Sequence, residues 1–219
     1  MSAFDLLPAL LRGAQLTVVL AVAAGALAIA VSFIAGLARL SPVRPVRMAV
    51  AVYVEVFRGT SALVQVFYFF FVLPLIGIQL PAFAAGVIAL GLNFGAYGSE
   101  IVRAAILNVD RGQREAAIAL NMPPALTMRR IILPQALAAM LPSFGNLVID
   151  LLKATSLLSL ITLSEMTFAG KMLVQGQGRV TEVYVLVLLI YFIIAVALGR
   201  VFKLAEQRVV AGLHLGPRR

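Results

Sequence analysis

The chain contains no cysteine and a single histidine, and only 9 of its 219 residues are acidic. Without cysteine it can hold no disulfide framework, thiol nucleophile or cysteine metal site. His214 stands in the polar tail, where a solvated residue is expected rather than a ligand. Charged residues make up 12% of the sequence against 62% hydrophobic, with a mean hydropathy of +1.04. A soluble domain carries about 25% charged residues, so this composition belongs in a bilayer. A phosphate-binding G-x-x-x-x-G-K-[ST] run is missing too. The one Gly-Lys pair, Gly170-Lys171, lacks the upstream glycine and the following hydroxyl. No metal-ligand spacing and no nucleophile–base set is visible, so a non-catalytic chain with no cofactor of its own is expected. The start, MSAFDLLPALLRGAQL, carries Asp5 and no early positive charge, which argues against a cleavable signal peptide.

What is present is a series of apolar blocks. An all-α membrane protein with five transmembrane helices is predicted, as a single domain over 1–219 with its core at about 12–206. Phe4 to Leu11 reads as an interfacial helix, followed by a first span over about Ala14–Leu37. Met48 to Phe57 reads as an elbow leading into a second, short span over Ser61–Leu75. The third span starts near Ala82, the fourth covers about Leu141–Leu163 and the fifth about Val183–Phe202. A span needs roughly 20 residues at 1.5 Å each, so the second is complete only if the elbow enters the membrane. The aromatic run Phe67–Phe71 is expected to serve lipid contact and packing.

The +9 formal charge is explained by topology rather than by a nucleic-acid partner. Arg39, Arg44, Arg47 and Arg58 lie between the first two spans, and Arg103, Arg111, Arg114, Arg129 and Arg130 between the third and fourth. Arg200, Lys203, Arg208, Arg218 and Arg219 follow the fifth. The other side holds Arg12, Lys171 and Arg179, with Lys153 inside the fourth span. Cationic loops stay in the cytoplasm, which places the C-terminus inside and the N-terminus outside.

Two intramembrane groups stand out. At 100° per residue Asn93, Tyr97 and Glu100 share one face of the third span, opposite Gly91, Gly95 and Gly98. A glycine face permits close helix approach, leaving the polar face toward a cavity or a second subunit. On the fourth span Asn146, Asp150 and Lys153 share a face, and the last two are spaced to pair. Ionisable groups at this depth are costly and point to function. For Asp150 and Lys153 a pair that fixes helix register and a place in a solute pathway both remain open.

Between the third and fourth spans runs EAAIALNMPPALTMRRIILPQA, Glu115 to Ala136. Its Ala-rich start favours helix, Asn121 suits a left-handed helix end, and Pro123 or Pro124 suits the first turn of the next helix. The pattern is helix, bend, helix, closed by Pro134. The segment resembles the EAA loop of ABC importer permeases, with Asn121 where the family has glycine. EVFRGTSALVQVF (Glu55 to Phe67), LNFGAYGSEIVRAAILNVDRGQREAA (Leu92 to Ala117) and LPSFGNLVIDLLKATSLLSLI (Leu141 to Ile161) are similar to segments of the polar amino acid subfamily, which serves histidine, glutamine, arginine and opines. Ser61 replaces that subfamily's proline, and ectoine-like solutes are equally admissible.

The resemblance implies a type I ABC importer permease fold and a plasma (inner) membrane location. It implies two ATPase subunits that bind ATP and Mg, a second permease subunit, identical or a sister, and an extracytoplasmic solute-binding protein. It places ATPase coupling at Glu115, Ala116, Ala117, Asn121 and Pro134, with Glu115 bonding within the hairpin and Arg129 and Arg130 meeting acidic groups or lipid. It implies a substrate site near the third and fourth spans, which agrees with a pathway at the two polar faces, Asn93, Tyr97, Glu100, Asn146, Asp150 and Lys153. The competing readings are an ion-coupled secondary transporter using Glu100, Arg103, Asp150 and Lys153, which a five-span chain without an inverted repeat fits poorly, and a non-transporting scaffold.

Overall fold

The computed structural model describes residues 6–212, which are helical throughout their regular structure, with no strand among them. Helix α1, Leu7–Ala38, has Pro8 in its first turn, where a missing N–H costs nothing. The expected interfacial helix is not a separate element. From Leu7 on it is the first turns of α1, while Phe4 and Asp5 lie outside the described residues. No proline interrupts the helix at the boundary, and Leu6, Leu10 and Ala14 are drawn into an apolar cluster with Met166, Val183 and Val187.

Helix α2, Arg44–Gly59, is the elbow. After a break at Thr60 and Ser61 the chain resumes as α3, Ala62–Phe67, and continues through a π turn at Tyr68–Val72 and a 3-10 turn at Leu73–Ile76. The two halves meet at 104°, and together they are long and apolar enough for the second span. Within the aromatic run Phe67, Phe69 and Phe70 pack on the core while Phe71 faces outward.

Helix α4, Ala82–Leu107, lies along α1 for most of its length. Its glycines do what their spacing suggests. A Cβ at Gly91 would stand 2.5 Å from Leu27 Cδ2, and one at Gly95 2.7 Å from Val31 Cγ1. At Gly98 it would collide with the Ser32 hydroxyl, which donates to the carbonyls of Ala28 and Gly95.

Helix α5, Arg111–Ala119, turns into α6, Pro124–Thr127, then a π turn at Met128–Ile132, α7 at Leu133–Ala154 and a 3-10 turn at Thr155–Ile161. The stretch from Pro124 to Ile161 is one 38-residue helical unit. Pro134 therefore does not close the hairpin, and the fourth span begins well before Leu141. Proline lacks the N–H of a regular helix, and the π turn just before it absorbs the irregularity.

Helix α8, Met166–Gln177, occupies what the sequence left as a loop, and α9, Val180–Gly212, outruns the fifth span at both ends. His214, Arg218 and Arg219 lie outside the described residues. Among the described residues four helices are long and apolar enough to cross a membrane, and the bent pair, taken as one span, raises this to five.

Candidate translocation and coupling sites

A helix broken inside a bilayer leaves carbonyls that water cannot satisfy. Here side chains of α3 and α4 satisfy them. Asn93 Nδ2 donates to the Phe57 carbonyl (2.8 Å) and to Gln65 Oε1 (3.1 Å). Gln65 Nε2 reaches the Phe57 carbonyl (2.9 Å) and the Thr60 hydroxyl (2.7 Å). Tyr53, from α2, donates to the Leu92 carbonyl of α4 (2.7 Å). Asn93 is 4% exposed and its amide nitrogen bonds both Phe57 and Gln65, so its position is that of a brace under the elbow. Gln65 belongs to the same brace. It stood in plain view as a polar residue in an apolar run.

One and two turns further along α4, Tyr97 and Glu100 face a more open region. The Tyr97 hydroxyl donates to the Arg58 carbonyl at 3.4 Å, and the Arg58 guanidinium lies 5.2 Å from the centre of the Tyr97 ring. Glu100 is bound by arginines from three elements. Arg39, just past α1, pairs with it. Arg103 reaches it through Nη2 at 2.9 Å, and Arg58 stands 3.9 Å away. A cavity of about 370 Å³ is lined by Arg39, Glu55, Arg58, Tyr97 and Glu100. A second, of about 800 Å³, includes Glu100, Asn108, Asp110, Gln135 and Ser143. Glu100 thus stands on the wall between two cavities. Arg39 and Arg58 counted only as topological charges in the sequence, because their partner lies 61 and 42 positions away.

The fourth-span group does not join this region within one chain. Asn146, Asp150 and Lys153 line neither cavity. Lys153 Nζ bonds Asp150 Oδ1 at 3.0 Å, and both side chains are 63% exposed on the outer face of α7.

At the hairpin, Asp110 caps α5 by accepting the Gly112 N–H at 2.6 Å. The cap is thus made by Asp110, while Glu115, expected to bond within the hairpin, is exposed. The far end closes as a Schellman motif. Asn121 takes φ 52°, its N–H donating to the Ile118 carbonyl, while the Met122 N–H donates to the Ala117 carbonyl. Ala117 is buried against its own chain, whereas Ile118 and Leu120 are 72% and 73% exposed. Arg114 reaches back to the Ile106 carbonyl at 2.9 Å, tying α5 to the end of α4. Ala116, Arg129 and Arg130 are exposed on this surface, and Pro134 sits behind it at the start of α7.

Helical throughout the regular structure of its described residues, with a sharply bent helix pair and a capped hairpin that leads into a long apolar helix, the chain is a permease subunit of the type I ABC importer fold. The chain belongs to the binding-protein-dependent transport system inner membrane component family, whose model matches residues 10–211. It is a non-catalytic membrane subunit of an ABC importer. It is 45% identical to a probable amino-acid ABC transporter permease of Sinorhizobium fredii, over 94% of this chain and 89% of the relative. It is 35% identical to the glutamine transport system permease protein of Escherichia coli, over 93% and 94% respectively. A crystal structure of an amino acid ABC transporter with histidines superposes with a TM-score of 0.88 at 33% identity, covering 95% of this chain and 99% of that one.

Proposed function

We propose that this chain forms one half of a pathway for an amino acid or a related polar solute across the plasma membrane. Separate ATPase subunits that hold ATP and Mg drive it, and an extracytoplasmic binding protein feeds it. The observation that carries this reading is the unbroken helical run from the hairpin into α7. Force applied at Ile118 and Leu120 passes through Pro124–Ile161 as one body, with α5 tied to α4 by Arg114. Alternating access then follows from ATPase closure tilting α7 and α4 around the cavities that meet at Glu100. A coupling of this kind requires contacts that differ between two states, and an exposed apolar hairpin in an ATPase cleft supplies one.

Several finer assignments follow. The hairpin face of Glu115, Ala116, Ile118 and Leu120 docks the ATPase, while Ala117, Asn121 and Pro134 shape it from within. Tyr97 and Glu100 face the solute, and Asn93 supports them. The exposed Asn146–Asp150–Lys153 face of α7 meets the second permease subunit or a shared water-filled path, because an ion pair against lipid is costly. Basic residues crowd the hairpin side of the sequence, which supports a cytoplasmic hairpin and C-terminus and an external N-terminus. The single-domain reading, with 115–136 as its coupling segment, fits the continuous helix packing.

Docking is tested by co-purification. Ile118→Glu is expected to release the ATPase from a permease that still inserts and folds. Ala117→Asp is expected to lower the permease's own stability as well. Full ATPase retention by Ile118→Glu would refute the docking face.

A further inference from the structure

Neither the pathway nor the hairpin uses the most deeply buried acidic residue among those described. Glu165 is 0% exposed and caps α8, beside the N-terminal turns of α1. Its Oε1 accepts the Phe168 N–H (2.8 Å) and its Oε2 the Thr167 N–H (2.9 Å). The Oε2 atom also accepts the hydroxyl of Tyr191 on α9 (3.1 Å) and lies 3.4 Å from the hydroxyl of Thr17 on α1. Thr17 in turn accepts the Met166 N–H (3.1 Å). The three amides opening α8 are thus satisfied by one carboxylate and by a hydroxyl from another helix.

The packing points the same way. A Cβ at Gly13 of α1 would stand 2.8 Å from Met166 Cα, and one at Gly170 of α8 would stand 3.1 Å from Val187 Cγ2 of α9. Leu10, Met166, Val183 and Val187 seal the site. An ordinary N-cap needs only an exposed serine, threonine, aspartate or asparagine. A buried carboxylate is tolerated only when all its lone pairs find donors, and here the donors come from three helices. Pulling α8 from either neighbour would leave buried polar groups without partners.

We propose that Glu165 is a positioning residue that fastens α8 to α1 and α9, so that α8 travels with these two spans through the transport cycle and does not swing as a separate gate.

The absence of cysteine makes this testable by introduced pairs. Gly170→Cys with Val187→Cys places two thiols within reach of a disulfide. In the assembled complex with its ATPase, oxidation of this pair is expected to leave ATP turnover unchanged. Loss of turnover on oxidation, restored by reductant, would overturn the proposal. In a second arm, spin labels on the exposed positions Met172 and Leu188 report the α8–α9 distance. Without the Glu165 change, this distance is expected to stay single and unshifted between nucleotide-free and vanadate-trapped complexes. Glu165→Gln puts an amide donor against a backbone N–H, and is expected to broaden or split the distribution on trapping. An unshifted, equally narrow distribution in Glu165→Gln would overturn the assignment to Glu165. If that variant fails to assemble, the cross-link arm and the labels without it still decide whether α8 moves alone.

Discussion

A close approach of α1 and α4 at Gly36, near the end of α1, sets a quantitative test of the bundle. A Cβ there would stand 2.7 Å from Val102 Cβ, 2.8 Å from Val102 Cγ1 and 2.8 Å from the Ser99 carbonyl oxygen. Ordinary carbon contacts lie at about 3.5–4.0 Å, so Gly36→Ala must push the helices apart by roughly 1 Å. Val102 and Ser99 are fully buried, and Val102 belongs to a cluster with Ile106, Ile132, Met140 and Phe144. Neither neighbour can swing aside, and overpacking of this kind costs about 1–3 kcal/mol. Gly25, on the same helix, is the control, since a Cβ there meets nothing within 4 Å. Both substitutions gain the same helix preference of alanine, about 1 kcal/mol. That gain cancels in the difference between them. At roughly 2–4 °C per kcal/mol for a chain of this size, Gly36→Ala should melt about 2–12 °C below Gly25→Ala. The assay is the soluble fraction of the purified complex after heating, read by size exclusion. Equal melting, or Gly25→Ala melting lower, would refute the packing argument.

The left-handed Asn121 should accept glycine without loss, while Asn121→Val should cost about 1–2 kcal/mol and loosen ATPase binding, read by co-purification. If α7's polar face is covered by a second permease subunit, Asp150→Ala alone should impair assembly more than Asp150→Ala with Lys153→Ala, because the single change strands a charge. Native gels of the two variants check the order. A reporter active only in the cytoplasm should work when fused after Arg219 and fail when inserted between 175 and 178, which tests the orientation.

Much of the architecture was legible because it rests on composition and short-range pattern. The glycine stripe, the elbow and the bend at Asn121 are local statements, and local chemistry decides them. The errors came where tertiary contacts overrule local signs. Pro134 reads as a helix end, yet the preceding π turn lets the helix run through it. The short α8 falls outside every long apolar run, and Thr17 and Tyr191, distant in sequence, converge on Glu165 to hold it. Asn93, Tyr97 and Glu100 all lie on α4 at spacings that share a face, but a shared face does not imply a shared task. Asn93 is consumed by the broken helix, Tyr97 is half open, and Glu100 is held by arginines that sequence spacing cannot bring together.

In the proposed function, ATP hydrolysed by a partner drives solute through a path at whose wall Glu100 stands. The direct measurement is uptake into proteoliposomes holding this chain, its neighbouring ATPase and its binding protein, with an amino-acid mixture outside and ATP within. Vanadate-sensitive accumulation is expected that requires all three components and that Glu100→Gln reduces or shifts in solute preference while assembly is unchanged. Accumulation driven by an ion gradient without ATP would contradict it.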